Sequence, residues 1–180
     1  MFYSKENLNK IGFKKLGTNV LISDKCSIYN AKNIEIGNNV RIDDFCILSA
    51  GKGGIKIGNY IHIACYASLI GQGQITLDDF SQVGAKSSVY SSTDDFSGKF
   101  LVGPTIPEKF TNVKHASVHL KKYAVLGCNT VVLPGVTIGE GSAVGALSLV
   151  SKNLKDYKIY GGVPLKELKN RSKDISSYEV

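Results

Sequence analysis

Branched aliphatic residues recur at every sixth position through most of this chain. Toward the C-terminal end the series is unbroken and runs Leu120, Leu126, Val132, Ile138, Val144 and Val150. A spacing of six matches neither the period of an amphipathic helix nor the alternation of an ordinary strand. It is the period of hexapeptide β-helices, in which each hexad forms one short strand and one turn. The spacing therefore predicts an all-β chain coiled as a parallel β-helix.

A small or β-branched residue stands two positions before each of the last five aliphatics: Ala124, Thr130, Val136, Ser142 and Ser148. Because side chains alternate along a strand, both positions share a face, and we expect both to point into the coil. Gly127, Gly139 and Gly145 directly follow three of the aliphatics. Glycine there suits a tight turn or a close backbone approach.

The aliphatics form six sets of three with a spacing of six inside each set. The earlier sets are Leu16, Ile22 and Ile28; Ile36, Ile42 and Leu48; Ile57, Ile63 and Leu69; and Leu77, Val83 and Val89. Extra residues occur only between sets, and the largest insertion separates Val89 from Leu120. Three strands thus make one triangular coil, and every insertion leaves from one edge. We predict about six coils with a long protruding loop at 91–117. A sandwich of short strands would lack the six-residue phase and fits poorly.

A chain of 180 residues has room for one domain. We divide it into an N-terminal cap (1–15), a β-helix domain (16–150) and a C-terminal helical tail (151–180). Pro164 suits the first turn of a helix, and Leu165, Leu168 and Ile175 form a narrow apolar stripe. The tail is therefore predicted to be a short helix that covers the open end of the prism.

Composition narrows the range of partners. No apolar run is long enough to span a membrane and the N-terminal segment is polar, so we expect a soluble, cytoplasmic protein. The net charge of +7 suggests anionic partners. Because the chain has no nucleic-acid-binding motif, phosphorylated small molecules fit better than nucleic acid. The four cysteines form no C-x-x-C pair, and Cys26 and Cys46 occupy the small inward position, which favours packing over chemistry.

One long motif identifies a family resemblance. The pattern V-x-I-G-x-G-S-x-V-G-A-x-S-x-V at Val136–Val150, followed by Y-G-G-V-P at Tyr160–Pro164, resembles the hexapeptide-repeat acyltransferases with a left-handed β-helix. NNVRIDDFCILS (Asn38–Ser49), DDFSG (Asp94–Gly98) and GPTIP (Gly103–Pro107) look most like the nucleotide-linked aminosugar N-acyltransferases, the group that includes the dTDP-anthrose N-acyltransferase. The resemblance covers nearly the whole chain.

The resemblance implies a homotrimer that binds an acyl-coenzyme A, expected to be acetyl-coenzyme A, between neighbouring prisms, with a nucleotide sugar as acceptor and no metal. Pantetheine can lie along a prism edge that small residues keep open, and lysine or arginine can meet the phosphates. The cofactor-binding candidates are Gly127, Cys128, Gly145, Ala146, Lys152, Lys166 and Arg171. Turn geometry alone is an alternative explanation of the glycines.

Acyl transfer from a thioester needs a nucleophile, a place for its proton and a donor for the oxyanion. The long insertion is the candidate site because loops on a rigid scaffold commonly carry function. Asp94 is the catalytic candidate that would orient the amine and take its proton, and the alternative is that it only bonds its own turn. His115 is the candidate base for the second possibility, O-acetylation of a sugar hydroxyl.

Four further residues are substrate-binding candidates: Arg41, Asp44, His62 and Ser97. Arg41 and Asp44 lie in the segment that matches the family, although a corner salt bridge explains them equally well. His62 stands one position before an inward aliphatic and is predicted to project outward. A zinc hydratase of the γ-carbonic-anhydrase type needs three histidines that meet at a subunit boundary, and the positions of His62, His115 and His119 fit that requirement poorly. A scaffold without enzymatic activity would not explain the long loop.

Overall fold

Three short strands and three turns make one coil of the chain, as the six-residue period predicts. The computed structural model of the protein describes residues 1–178. The first three coils contain β1 (Lys15–Leu16), β2 (Val20–Ile22), β3 (Ser27–Tyr29), β4 (Ile34–Ile36), β5 (Val40–Ile42), β6 (Ile47–Ala50), β7 (Ile55–Ile57), β8 (Ile61–Ile63) and β9 (Ser68–Gly71). The fourth coil contains β10 (Ile75–Leu77), β11 (Gln82–Val83) and β12 (Ser88–Tyr90).

The long insertion then contributes β13 (Ser92–Thr93) and β14 (Lys114–His115). The last coils contain β15 (Val118–Leu120), β16 (Val125–Leu126), β17 (Val131–Val132), β18 (Thr137–Ile138), β19 (Ala143–Val144) and β20 (Leu149–Val150). The chain ends with β21 (Lys158–Gly161) and β22 (Lys166–Asn170). Helical structure in residues 1–178 is limited to α1 (Lys5–Lys10) and three 3₁₀ turns at Ala31–Asn33, Glu108–Phe110 and Asp174–Ser177.

The strands stack into three parallel sheets, one on each side of a triangular prism. Sheet 1 has the order β1-β4-β7-β10-β15-β18, sheet 2 the order β2-β5-β8-β11-β16-β19-β21-β22, and sheet 3 contains β3, β6, β9, β12, β17 and β20. Each aliphatic pairs with its equivalent in the next coil, so Ile22 lies beside Ile42 and Ile42 beside Ile63. Six complete coils result, followed by β21 as the first strand of a seventh.

The predicted aliphatic positions form the core. All of them are buried except Leu16 and Ile28, which lie in the first coil and pack partly against the core. The small residues two positions before the last five aliphatics are buried as well, and the hydroxyl groups among them find partners within the prism. The Ser142 hydroxyl donates to the carbonyl oxygen of Lys155 at 2.6 Å, and the Ser148 hydroxyl donates to that of Gly145 at 2.7 Å. These hydrogen bonds keep the small polar residues compatible with the core, whereas the buried Ser81 Oγ, two positions before Val83, has no hydrogen-bond partner in the part of the chain that the structure describes.

Cys26 and Cys46 take the inward positions that the sequence predicts for them, and both are buried. Burial raises the pKa of the Cys26 thiol to about 12 and that of the Cys46 thiol to about 11. Both thiols therefore stay protonated near neutral pH, and they act as small apolar side chains.

Two of the three prism edges are closed by residues in the left-handed backbone conformation. Corner 1, between sheets 1 and 2, carries a column of such residues that includes Asn39, Tyr60, Phe80, Tyr123 and Tyr157. The Tyr60 and Phe80 rings stack with their centroids 4.9 Å apart, and Phe80 and Tyr123 stack at 5.2 Å. Stacking between neighbouring coils offsets part of the conformational cost of a positive φ in a large residue.

Corner 2 lies between sheets 2 and 3 and is built in the same way, with Phe45, Tyr66, Lys86, Asn129 and Leu147 in the left-handed conformation. Corner 3, between sheets 3 and 1, accepts the insertions. A short 3₁₀ turn occupies it after β3, and residues 91–117 leave from it after β12. We call that last segment the arm. Near its two ends, Ser92–Thr93 and Lys114–His115 pair as the antiparallel ladder β13–β14.

The two ends of the prism are covered differently. At the N-terminal end, α1 is capped by the Ser4 side chain, which accepts a hydrogen bond from the Asn7 amide, and Leu8 is buried in the core. None of the helices within residues 1–178 has the length and apolar character needed to cross a membrane.

The prediction of a C-terminal helix is wrong. β22 runs antiparallel to β21, and Pro164 lies between the two strands. β21 is the last parallel strand of sheet 2, so its outer backbone groups would lack partners without β22. A separate short helix would leave that edge open and would itself be marginal. The tail therefore covers the end of the prism as a hairpin, and Ile175 lies in a 3₁₀ turn beyond it.

Leu48→Ala tests whether the inward aliphatics hold the coils together. Leu48 is fully buried, whereas Leu21 on the outer face of the neighbouring sheet is 42% exposed. We expect Leu48→Ala to lower the free energy of unfolding by about 2–5 kcal/mol, because the surrounding strands can only partly fill the cavity that the substitution leaves in the core. Leu21→Ala, the same chemical change on the outside, is expected to cost less than about 1 kcal/mol. Equal losses in denaturant titrations followed by circular dichroism would contradict the assigned core.

Candidate active site

The root of the arm brings Ser92 and His115 together. The β13–β14 ladder pairs Ser92 with His115 and Thr93 with Lys114. The Ser92 Oγ lies 2.8 Å from the His115 Nδ1. The backbone N–H of Gln72, in the coil below, donates to the same Ser92 Oγ at 2.8 Å. These contacts fix the base of the arm, and with it the His115 ring, to corner 3 of the prism.

A cavity of about 220 Å³ opens beside this contact. Its walls come from corner 3 of the early coils and from the arm, and they include Asn30, Ser49, Ile70, Gly71, Gln72, Ser92, Val113 and His115. The lining combines hydrogen-bonding side chains with a few apolar ones. This lining could form hydrogen bonds with a small polar group.

Asp94 and Asp95 are adjacent in sequence but differ in their surroundings. The Asp95 carboxylate accepts hydrogen bonds from the Ser97 N–H at 2.8 Å and from the Asn112 side-chain amide at 2.7 Å. Within residues 1–178, the half-buried Asp94 carboxylate has no hydrogen bond or ion pair. The alternative explanation, in which aspartate only bonds its own turn, thus holds for Asp95. Asp94 keeps its carboxylate available for another partner.

Hydrogen bonds from the Ser97 hydroxyl, from its backbone N–H and from Asn112 lower the pKa of Asp95 to about 2. Asp95 is therefore ionised throughout the neutral range and holds the two sides of the arm together. Ser97, a predicted substrate contact, is exposed and belongs to this turn, since its hydroxyl also accepts from the Lys99 N–H at 3.3 Å. The structure gives Ser97 a role in shaping the arm.

Arg41 and His62 project outward from sheet 2, as predicted for His62, and share one carboxylate. Asp43 accepts from Arg41 Nε at 2.7 Å, and its second oxygen lies 2.7 Å from His62 Nε2. Burial opposes the ionised form of Asp43, but these two hydrogen bonds outweigh burial and leave its pKa below the ordinary value. Arg41 and His62 are thus held by Asp43 on an exposed face.

Asp44 takes part in the corner salt bridge that was the alternative explanation for it. Its carboxylate accepts from the Ser23 hydroxyl and lies 3.1 Å from Lys25 Nζ. The hydrogen bond from the Ser23 hydroxyl lowers the pKa of Asp44 most, and the hydrogen bond from Lys25 Nζ lowers it further. Its side chain is therefore already committed to partners in the same chain.

Four of the predicted cofactor residues, Gly127, Cys128, Gly145 and Ala146, lie along corner 2 of the last coils. Gly127 and Gly145 occupy equivalent positions there, since the Gly127 N–H donates to the Val144 carbonyl and the Gly145 N–H to that of Tyr160. A Cβ on Gly127 would lie 2.5 Å from the Ala146 amide nitrogen, so the turn itself requires glycine. Cys128, Gly145 and Ala146 are exposed beside it and leave a narrow, open edge.

The basic candidates of the tail divide into two groups. Lys152 and Lys166 are exposed. Arg171 instead donates from Nη1 to the carbonyl oxygens of Tyr123 and Gly141, at 3.1 and 3.0 Å. Burial lowers the pKa of Arg171. We therefore infer that Arg171 attaches the tail to corner 1. Lys152 and Lys166 remain the predicted phosphate contacts.

Within one chain, the candidates do not form a single site. Asp94 and His115 lie on the arm at corner 3, Arg41 and His62 lie on sheet 2 opposite that corner, and Gly127 lies on corner 2. A prism cannot bring one of its edges against the opposite face, so only a second copy could join these groups.

Sequence reasoning missed the contributions of Ser92 and Gln72 and the pair formed by His119 and Asp78. The His119 Nε2 lies 2.8 Å from the Asp78 Oδ2 on the outer face of sheet 1. The six-residue count gives the facing direction of these residues but not their partners. No cluster of three histidine, cysteine, aspartate or glutamate side chains suited to a metal ion occurs in the part of the chain that the structure describes.

Comparison with known proteins places this geometry in a family. The chain is 45% identical over 172 residues to a dTDP-4-amino-4,6-dideoxy-D-glucose acyltransferase of Escherichia coli, covering 96% of this chain and 90% of the relative. It is 51% identical to AntD, an N-acyltransferase from Bacillus cereus solved with dTDP and 3-hydroxybutyryl-CoA, with a TM-score of 0.93, covering 98% of this chain and 93% of AntD.

A serine-to-cysteine variant of AntD, solved with dTDP-4-amino-4,6-dideoxyglucose and coenzyme A, matches with the same TM-score of 0.93 at 51% identity and the same coverage, 98% and 93%. No protein-family model matches the chain. These likenesses define the class of protein as a hexapeptide-repeat acyltransferase with a left-handed parallel β-helix, as predicted. Within that class, the chain belongs to the N-acyltransferases of nucleotide-linked amino sugars.

Asn112→Ala tests the bond that closes the arm. Loss of the amide donor is expected to raise the pKa of Asp95 from about 2 toward the ordinary value of an aspartate. Because the pKa is lowered in the folded protein, the bond stabilises the arm at neutral pH and the stabilisation is lost as the pH falls through about 4 toward about 2. A carboxyl NMR titration measures the shift. Asn9→Ala, an exposed amide on α1, is the control, and an unchanged Asp95 titration in Asn112→Ala would contradict the assignment.

Proposed function

We propose that this protein transfers an acyl group, expected to be acetyl, from coenzyme A to the amino group of a dTDP-linked 4-amino-4,6-dideoxyhexose. The observation that carries the proposal is the Asp94 carboxylate, which has no hydrogen bond or ion pair among residues 1–178 and stands on an arm anchored beside a polar cavity. The acceptors named for the E. coli relative and bound to the AntD variant carry an amine of this kind.

The chemistry needs little beyond positioning. The amine nitrogen attacks the carbonyl carbon of the thioester, a C–N bond forms, and the C–S bond breaks as coenzyme A leaves. Asp94 accepts a hydrogen bond from the attacking amine, orients its lone pair and takes one of its protons, which the leaving thiolate then receives. An amine requires less help than a sugar hydroxyl, so a carboxylate is sufficient as the proton acceptor. O-acetylation of a sugar hydroxyl, with His115 as the base, is the alternative reaction.

The active form is proposed to be a homotrimer. Support comes from the distribution of the candidate groups, since the arm at corner 3 and the open edge at corner 2 meet only between copies. The outer faces also carry Val125, Val131 and Leu133, apolar side chains that are partly exposed in the single chain. Each active site would then combine the arm of one copy with the corner 2 edge of its neighbour. Light scattering after size-exclusion chromatography measures the assembly.

The corner 2 edge is proposed to hold pantetheine. Gly127, Gly145 and Ala146 leave backbone groups accessible there. Exposed Lys166, and Lys152 at corner 3 of the neighbouring copy, would meet the phosphates as charge-assisted donors. Arg41 and His62 stay proposed contacts for the nucleotide sugar. The product, an acylated nucleotide sugar, is proposed to serve surface polysaccharide or glycan assembly from the cytoplasm.

Release of free coenzyme A thiol tests the reaction directly. The protein is incubated with acetyl- or 3-hydroxybutyryl-coenzyme A and with dTDP-4-amino-4,6-dideoxyglucose, its UDP analogue or dTDP-glucose. Thiol release with the amino sugars and none with dTDP-glucose is expected, because only the amine is nucleophilic without a strong base. Release only with the hydroxyl acceptor would overturn the amine reaction.

Asp94→Asn is expected to lower kcat by about 100-fold or more, because the amide keeps the size of the side chain but cannot take a proton. The oligomeric state should not change. Asp174→Asn, which removes an exposed carboxylate of the tail, is the matched control and should keep the wild-type rate. A near-normal rate in Asp94→Asn at saturating substrate would remove Asp94 from the mechanism.

A further inference from the structure

The hydrogen bonds around Ser92 determine where the proton of the neutral His115 ring lies. The Ser92 Oγ already accepts from the Gln72 backbone N–H, which can only donate. The one remaining contact of this hydroxyl in the described residues is the His115 Nδ1 at 2.8 Å. If the Ser92 O–H donates to Nδ1, the Gln72 N–H, the Ser92 hydroxyl and the His115 Nδ1 all have hydrogen-bond partners. Donation in the opposite sense would leave the hydroxyl proton without a partner in the protein.

An Nδ1 that accepts a hydrogen bond carries no proton, so the neutral ring has its proton on Nε2. We propose that Ser92 holds His115 as an Nε2–H donor beside the corner 3 cavity, where it stabilises the oxyanion of the tetrahedral intermediate. The inference rests on the proposed function and gives His115 a role other than that of general base. In this form, Nε2 has no lone pair with which to remove a proton.

The chemistry of amine acylation needs such a donor. Attack on the thioester moves negative charge onto the carbonyl oxygen, and a preoriented N–H at that oxygen lowers the barrier. Asp94 is the proton acceptor in this reaction, so a second base has no task. The two functions, proton acceptor and oxyanion donor, then fall to two different residues of the same arm.

The register of the arm favours this division. Ser92 and His115 face each other across the β13–β14 ladder, and side chains alternate along each strand. Continuing β13 by one residue beyond Thr93 predicts that Asp94 emerges on the side that carries Ser92. This alternation predicts that the carboxylate and the imidazole leave the arm root on the same side, and His115 lines the cavity there together with Ser92 and Val113.

Two substitutions at His115 distinguish a donor from a base. His115→Ala is expected to lower kcat by about 100-fold with the KM for the amino sugar within about two-fold, because the donor acts on the transition state. His115→Gln keeps an N–H donor without a titratable nitrogen and should recover the rate to within about ten-fold of the wild type. His119→Gln is the matched control, since His119 bonds Asp78 on sheet 1, and its rate should equal that of the wild type.

Nitrogen NMR of histidine-labelled protein tests the proton position without any substrate. Neutral His115 should carry its proton on Nε2 in the wild type and in Ser92→Thr, which keeps the hydroxyl. Ser92→Ala should populate both forms of the ring and lower kcat. A proton on Nδ1 in the wild type, a His115→Gln rate as low as that of His115→Ala, or a change in KM alone would overturn the inference. If the wild type releases no coenzyme A with any amino sugar, the proposed function fails, while the NMR result still decides the state of His115.

Discussion

Backbone hydrogen bonds between equivalent residues of successive coils set the register on which the whole molecule depends. Ile42 lies between Ile22 and Ile63 in sheet 2, and equivalent alignments repeat in the other two sheets. A slip of one residue between two coils would turn every inward aliphatic of those strands outward, because side chains alternate. The aliphatic stack and the hydrogen-bond ladder therefore require the same alignment. This agreement explains how strands of only two to four residues form a stable core.

The same alignment continues at the corners. At corner 1, Asn38 N–H donates to the Asn59 side chain and Asn59 N–H to that of Asp79, at 2.8 and 2.7 Å. These bonds leave no room for extra residues between sheets 1 and 2. Corner 2 is closed by its own column of left-handed residues. Only corner 3 accepts insertions, so the chain can place a long arm there without disturbing the stack.

Most of the fold could be predicted because the signal repeats. The six-residue spacing recurs in every coil, so one aliphatic that is only partly buried, such as Ile28, does not change the predicted fold. The tail carries no repeat, and there the prediction of a helix from Pro164 and three apolar residues was wrong. The decisive factor was the open edge of β21, which exists only once the coils have stacked. Sequence spacing within the tail holds no information about that edge.

The candidate site was predicted less completely. The outward direction of His62 followed from its place beside Ile63, but its partner Asp43 did not, because the pair spans two coils. Likewise, the sequence pointed to Asp94 but left open whether its carboxylate only bonds its own turn, and only the arm's closure by Asn112 showed that Asp95 is the bound carboxylate. The distinction concerns which oxygen atoms have partners, and such pairing is invisible to a pattern of residue types.

By itself, the sequence determined the repeat, the core positions, the edge that carries the insertion and the likeness to a family. These properties depend on local periodicity and on motifs that each coil expresses independently. Only the tertiary structure decided that Ser92 meets His115, that Arg171 fastens the tail and that β22 closes sheet 2. The first two contacts join residues 23 and 48 positions apart, and they form only when the stacked prism brings those segments together. The third depends on the open edge of β21, which exists only at the end of the stack.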